Sequence, residues 1–266
     1  MIREMTLGQY IPGNSIIHRL DPRTKLLGTL VYIVCLLLAD NKWMYLACVL
    51  ALAAVIIVSK VPFSTMIKGT KAILFILILS VVFNLFLTDG RVLVSFWKIK
   101  ITYEGVRQAC YMATRLICLI FGASLMTYTT TPNQLTDGLE KGLGFLKVIK
   151  IPVHEVAMMI SIALRFIPIL TEELDKIMKA QMARGADFES GNFIKKAKAL
   201  VPLLVPLFVS AFRRAGDLAS AMEARCYHGG EGRTRMHPLR YAGRDRAAYA
   251  VLGICLAGII CLKIFI

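Results

Sequence analysis

Two arginines stand where a guanidinium could capture a carboxylate of another molecule. Arg184 and Arg225 each close a long helical run, in the patterns Ala183-Arg184-Gly185 and Ala224-Arg225-Cys226. The planar fork of an arginine suits bidentate capture of a carboxylate. A cation at a helix C-terminus also complements the macrodipole and the last free carbonyls, which accounts for one such arginine without any partner. A matched pair in one three-residue pattern points instead to recognition.

Other chemistries find little support. His154-Glu155 is followed by Met158 where a zinc-protease helix needs its second histidine, which disfavours that reaction. Cys35, Cys48, Cys110, Cys118, Cys226, Cys255 and Cys261 include no C-x-x-C pair, and all but Cys226 lie in apolar runs, so neither a disulfide nor a metal site is expected. There is no G-x-x-x-x-G-K-[ST] phosphate loop, so the chain is not expected to hydrolyse ATP, and no cofactor is expected in it.

The runs that carry the two arginines are long. The first, 152–184, opens with Pro152 and closes at Gly185, the residue type that accepts a left-handed conformation after a helix. Met158, Ile162, Phe166, Ile169 and Leu170 recur at helical spacing, while Glu172, Glu173, Asp175, Lys176 and Lys179 gather in its second half. The second run follows the turn 189–192, with Asn192 as N-cap, and reaches Arg225 before Gly229-Gly230. Pro202 and Pro206 should bend it early. Beyond the bend, Ala211, Ala215 and Ala219 form one row of small residues and Gly216, Ser220 and Ala224 another, so this helix is expected to cross the first one there.

With 57% hydrophobic residues and a mean hydropathy of +0.64, the chain belongs in a membrane. Its 32 Lys and Arg against 17 Asp and Glu, a net +15, require a sizeable part outside the hydrocarbon, facing anionic lipid head groups or an acidic protein. No interleaving of aromatic and basic residues supports nucleic acid as a partner. Residues 1–25 are polar without a signal-peptide pattern, so the N-terminus is expected to be retained.

Five apolar runs read as membrane spans: 22–39 with Asp21 as N-cap, 43–58 with Trp43 and Tyr45 in an aromatic belt, 72–87, 106–128 and 247–262. The stretch 88–105 reads as an extramembrane hairpin, alternating through Val92, Val94, Phe96, Ile99, Ile101 and Tyr103. Arg115 falls inside the fourth run, where it is a functional candidate and equally a partner for a buried carbonyl or carboxylate. A short amphipathic helix is expected over 133–146, with Leu135, Leu139 and Leu143 on one stripe. The fold class is an all-α membrane protein: about five transmembrane helices plus a cytoplasmic part of one short amphipathic and two long crossed helices. The basic residues of 133–246 place that block, and the N-terminus with it, in the cytoplasm.

The two Ala-Arg endings, with Gln181-Met182 before the first and Ala221-Met222-Glu223 before the second, resemble the coupling motifs of the transmembrane T component (EcfT family) of energy-coupling factor (ECF) transporters. Agreement continues through Asp21-Pro22-Arg23-Thr24-Lys25, Thr130-Thr131-Pro132, Ala163-Leu164-Arg165-Phe166-Ile167-Pro168 and Arg213-Arg214-Ala215, across about residues 21–228. Cys226 departs from the family's usual glycine. The resemblance implies a transmembrane bundle (1–130), a coupling domain (131–246) and a final span (247–266) in the cell membrane of a prokaryote. It also implies two ATP-binding-cassette (ABC) ATPase subunits, which bind the ATP and magnesium and grip Ala183, Arg184, Gly185, Ala224, Arg225 and Cys226. A separate small membrane subunit (S) would bind a vitamin or other micronutrient and touch Phe166, Leu207, Ala211 and Ala215.

Two other readings stay open. The chain could be the dedicated partner of one cobalt, nickel or biotin system. It could instead be an integral membrane enzyme, which requires clustered acid, base or nucleophilic groups near the bilayer, and the spans hold almost none.

Overall fold

Each apolar run folds as a helix with identifiable ends. The computed structural model describes residues 10–88, 90–96, 99–150, 152–186, 188, 193–230, 236 and 238–265. In α1 (Pro22–Leu38) the Asp21 carboxylate accepts the Arg23 N–H at 3.0 Å, and Pro22 occupies the first turn, where its missing donor has no partner to lose. Helix α2 (Lys42–Ser59) ends at Lys60, whose φ is 56°. Helix α3 (Phe63–Leu87) starts well before the apolar run at 72, because nothing after Pro62 interrupts a helix and lysine is a good helix former.

Strands β1 (Val92–Phe96) and β2 (Ile99–Thr102) pair antiparallel, with Val94 opposite Ile101 and Phe96 opposite Ile99. Tyr103 does not continue the strand. Thr102 Oγ1 accepts the Gly105 N–H at 3.1 Å and so caps α4 (Tyr103–Thr129) one residue earlier. Helix α5 (Pro132–Gly142) opens with a capping box: Thr131 Oγ1 accepts from Gln134 N–H at 3.3 Å, and Gln134 Oε1 accepts from Thr131 N–H at 3.2 Å. A short 3₁₀ helix (Gly144–Ile149), α6 (Val153–Ala183), α7 (Phe193–Ala224) and α8 (Gly243–Phe265) complete the order. Asn192 and the turn expected around it lie outside the described residues.

The chain divides into two compact units: a bundle unit through Gly142 with Leu239–Ile266, and a lever unit of Leu143–Pro238. In the bundle unit α1 packs against α2, α4, α5 and α8. Its core joins Cys35, Leu36, Ala39, Met44, Tyr45, Cys48, Leu52, Cys118 and Ile259, and a second cluster joins Val61, Met66, Leu125 and Tyr128. Close approach depends on small residues. A Cβ on Gly122 would lie 2.8 Å from the Tyr32 ring, and one on Gly138 would lie 3.0 Å from Pro22 Cβ. Helix α5, which the sequence grouped with the long helices, is therefore packed on α1.

Between helices in lipid the hydrophobic effect contributes little, so polar ties of about 1 kcal/mol each carry weight. Both ends of α1 are tied. At its start, Asp245 Oδ1 accepts the Asp21 N–H at 2.9 Å and Oδ2 accepts the Ala242 N–H at 2.8 Å. Lys25 Nζ donates to the carbonyls of Thr129 at 2.8 Å and His18 at 3.1 Å, and Arg23 donates to Leu239 O at 3.2 Å. At its end, Arg115 donates to Ala39 O at 3.1 Å, while Lys263 reaches Leu38 O at 3.4 Å and Asp40 at 2.9 Å. Arg115 is thus partnered by a carbonyl that α1 itself cannot satisfy.

Among the described residues, α2, α4, α6 and α8 are long and apolar enough to cross a membrane. At 17 residues α1 is shorter, and within α3 the described residues give an apolar stretch over Phe75–Phe86. Helix α6 meets this measure because its first half is apolar, although the sequence placed it among the cytoplasmic helices.

Candidate coupling surface

The lever unit is built on α6 and α7, which pack against each other. Helix α6 runs through Pro168, whose carbonyl accepts from Thr171 Oγ1 at 2.7 Å, and α7 runs through Pro202 and Pro206. Arg214 of α7 donates to Glu173 of α6 at 3.3 Å, with both side chains partly exposed, so this pair fixes register more than it stabilises.

The two helices end in the same hydrogen-bonded cap. On α6, the Gly185 N–H donates to Met182 O at 3.0 Å and the Ala186 N–H to Gln181 O at 3.0 Å, with Gly185 at φ 88°. On α7, the Cys226 N–H donates to Glu223 O at 2.9 Å and the Tyr227 N–H to Met222 O at 3.0 Å, with Cys226 at φ 54°. Both are Schellman caps, in which crossed 6→1 and 5→2 bonds close the last turn through a left-handed residue. Arg184 and Arg225 hold the same position in each, the last residue before the left-handed one. Ala183, Arg184, Gly185, Ala224, Arg225 and Cys226 are all exposed, and among the described residues neither arginine side chain makes a hydrogen bond or ion pair. Each cap bonds its own carbonyls through the backbone, which leaves the guanidinium free for another molecule.

Cysteine at φ 54° carries a side chain where glycine carries none. Its left-handed backbone costs about 1–2 kcal/mol relative to the right-handed one. The crossed hydrogen bonds hold it there all the same.

The family-model comparison matches residues 13–237 to the CbiQ family, described as cobalt transport protein. Relatives named energy-coupling factor transporter transmembrane protein EcfT include one from Ruminiclostridium cellulolyticum, 54% identical over 92% of each chain. Another, from Thermosediminibacter oceani, is 53% identical over 97% of each chain, and one from Bacillus subtilis is 46% identical over 97% of each. The chain belongs to the energy-coupling factor T-component family. It is a multi-pass membrane protein of transport, and its relatives are named as transporter transmembrane components.

Within this T component, the other segments that carry the resemblance also find places. Asp21–Lys25 forms the tied start of α1, and Thr130-Thr131-Pro132 forms the α4–α5 corner. Arg213-Arg214-Ala215 supplies the ion pair to α6.

The expected apolar contacts divide. Phe166, Leu207 and Ala211 are half-buried and Ala215 is exposed. On α7 the sheltered stripe is Leu203, Leu207, Ala211, Arg214, Leu218 and Met222, spaced three or four apart. The small residues expected at the crossing lie mostly off that stripe: Ala215, Gly216, Ala219, Ser220 and Ala224 are exposed, and a Cβ on Gly216 would meet nothing within 4 Å. Opposite the stripe, Val201, Leu204, Val205, Phe208 and Phe212 are exposed, Phe212 by 75%. Sequence reasoning passed over this face, although its i, i+4, i+7 and i+11 spacing from Val201 to Phe212 was visible.

Proposed function

We propose that this chain is the coupling subunit of an ECF importer for a vitamin or other micronutrient, transmitting the ATP-driven movement of two ABC ATPase subunits to a separate S subunit. The observation that carries the reading is the matched pair of Schellman caps, each presenting one exposed arginine. Two equivalent tips fit two equivalent sockets, and a socket with a carboxylate would engage each guanidinium in bidentate fashion. Arg184 serves one ATPase and Arg225 the other. ATP and magnesium belong to those partners, and this chain contributes movement rather than catalysis.

The S subunit is a membrane protein with an apolar surface. The exposed face of α7 from Val201 to Phe212 gives it a place to dock, beside Phe166, Leu207, Ala211 and Ala215. Closure of the ATPases would shift α6 against α7 and carry that face with it. The arginine-bearing ends of α6 and α7 and the N-terminus lie on the cytoplasmic side of a prokaryotic cell membrane, in line with the basic residues of 133–246.

The test replaces both arginines. The double variant Arg184→Glu, Arg225→Glu should fold, remain in the membrane and no longer co-purify with either ATPase. Normal co-purification would remove the caps from the coupling machinery.

A second reading draws on the matched family's description as cobalt transport protein. In it the chain serves a single cobalt, nickel or biotin system. A gene for one such binding subunit beside this one, and a single S subunit in the purified complex, would favour it.

A further inference from the structure

We propose that the junction of α1 and α8 binds the phosphodiester headgroup of an anionic phospholipid through Arg19, Arg240, Arg244 and Arg246. All four are exposed, and among the described residues none makes an ion pair. Their backbones are held together by the buried knot at the start of α1. Asp245, between Arg244 and Arg246, accepts the Asp21 N–H, and Arg23 donates to Leu239 O beside Arg240. Lys25 Nζ bonds the carbonyl of His18, next to Arg19.

The acids at this junction do not neutralise the cluster. Asp245 is 2% exposed, and its two oxygens accept from Asp21 N–H and Ala242 N–H. Asp21 is also buried and accepts from the Arg23 backbone, with the Arg23 guanidinium 3.5 Å away. Four exposed arginines thus stand near two carboxylates whose oxygens are already engaged. An arginine's planar fork loses less entropy per hydrogen bond to a phosphate than a lysine's flexible stem does.

The depth of the cluster selects lipid over a soluble anion or an acidic protein. Helix α8 is apolar enough to span from Gly243, so Arg240, Arg244 and Arg246 sit where its hydrocarbon segment meets the headgroups. Tyr241 and Tyr249 lie at the same end in edge contact, with ring centroids 6.1 Å apart, and Arg23 stacks 4.7 Å over Tyr241. Tyrosine rings at a span's end are the usual interfacial anchor. The inference rests on α8 as a span and not on the coupling role, so the two can fail separately.

The purified full chain, reconstituted in phosphatidylcholine nanodiscs with a minor share of phosphatidylglycerol, is extracted and its retained lipids are counted by native mass spectrometry. The chain should retain phosphatidylglycerol above its bulk share. Replacing Arg240, Arg244 and Arg246 together by Gln should cut that excess at least about fivefold, the order of one surface cation's attraction to an anionic leaflet. Replacing the same three by Lys should keep most of it. If the triple Gln variant fails to fold, Arg244→Gln alone provides the readout, and a drop in excess there supports the site. No excess in the unmodified chain, or an excess unchanged in the Gln variant, overturns the proposal. So does displacement of the lipid by inorganic phosphate as readily as by short-chain phosphatidylglycerol, which would mark a free-anion site. Loss of ATPase co-purification in the Gln variant without loss of lipid excess would also overturn it, in favour of an acidic protein surface.

Discussion

Cations do different work in the two units. In the bundle unit, Lys25, Arg115 and Lys263 reach backbone carbonyls at helix ends and cannot leave without exposing them. In the lever unit, Arg184 and Arg225 stand at helix ends whose carbonyls are already bonded by the cap, and both side chains are exposed. The same residue class at the same kind of position is structural where the helix end lacks partners, and available where the backbone has supplied them. This contrast is what supports the proposal that the two arginine tips contact partner subunits.

The bundle unit is most vulnerable at Asp245. Asp245→Ala strands the Asp21 and Ala242 N–H groups beside Arg23 and Lys25, and should cost about 3 kcal/mol or more. Thermal unfolding of the purified chain in mild detergent would register this as a large drop in midpoint. A midpoint near that of the unmodified chain would show that the knot is not what ties α1 to α8.

A smaller effect is expected where α5 meets α1. Gly138→Val forces side-chain atoms against Pro22 and Leu26, the nearest being 3.0 Å from the added Cβ, and should cost about 1–3 kcal/mol by overpacking. The same unfolding measurement checks it, with ATPase binding as a second readout that should survive in the folded fraction.

In the lever unit the caps can be exchanged. Gly185→Ala should weaken the end of α6 by about 1 kcal/mol, and Cys226→Gly should strengthen the end of α7 by a similar amount, since each swaps the cost of a Cβ at positive φ. Hydrogen exchange of the final turns reads both: faster in the first variant, slower in the second.

The smallest stability effect belongs to Phe212→Ser, within about 0.5 kcal/mol because the side chain is 75% exposed. Its consequence should appear only in the complex, as reduced recovery of the S subunit with unchanged ATPase recovery. A large loss of stability would instead mean that this face is packed within the chain.

Much of this was legible in the sequence. The Asp21-Pro22 start of α1 and the left-handed Gly185 follow from local chemistry, because capping and positive φ are decided within a few residues. Asp245 was not legible as the partner of Asp21, since 224 residues separate them and nothing local at either position points to the other. The α7 rows of small residues matched a helix seam, yet apart from Ala211 they lie off the sheltered stripe, which runs through Leu203, Leu207, Arg214 and Leu218. The start of α3 was hidden by lysines that resemble a connector in charge but not in helix propensity.

The most direct test of the coupling claim is an affinity pull-down of the tagged chain from its native membrane in mild detergent, read by mass spectrometry beside the Arg184→Glu, Arg225→Glu variant. Two cassette ATPases and at least one small membrane protein should accompany the unmodified chain, and the ATPases should be absent from the variant. A chain that comes out alone, and transports or catalyses when reconstituted by itself, would contradict the account.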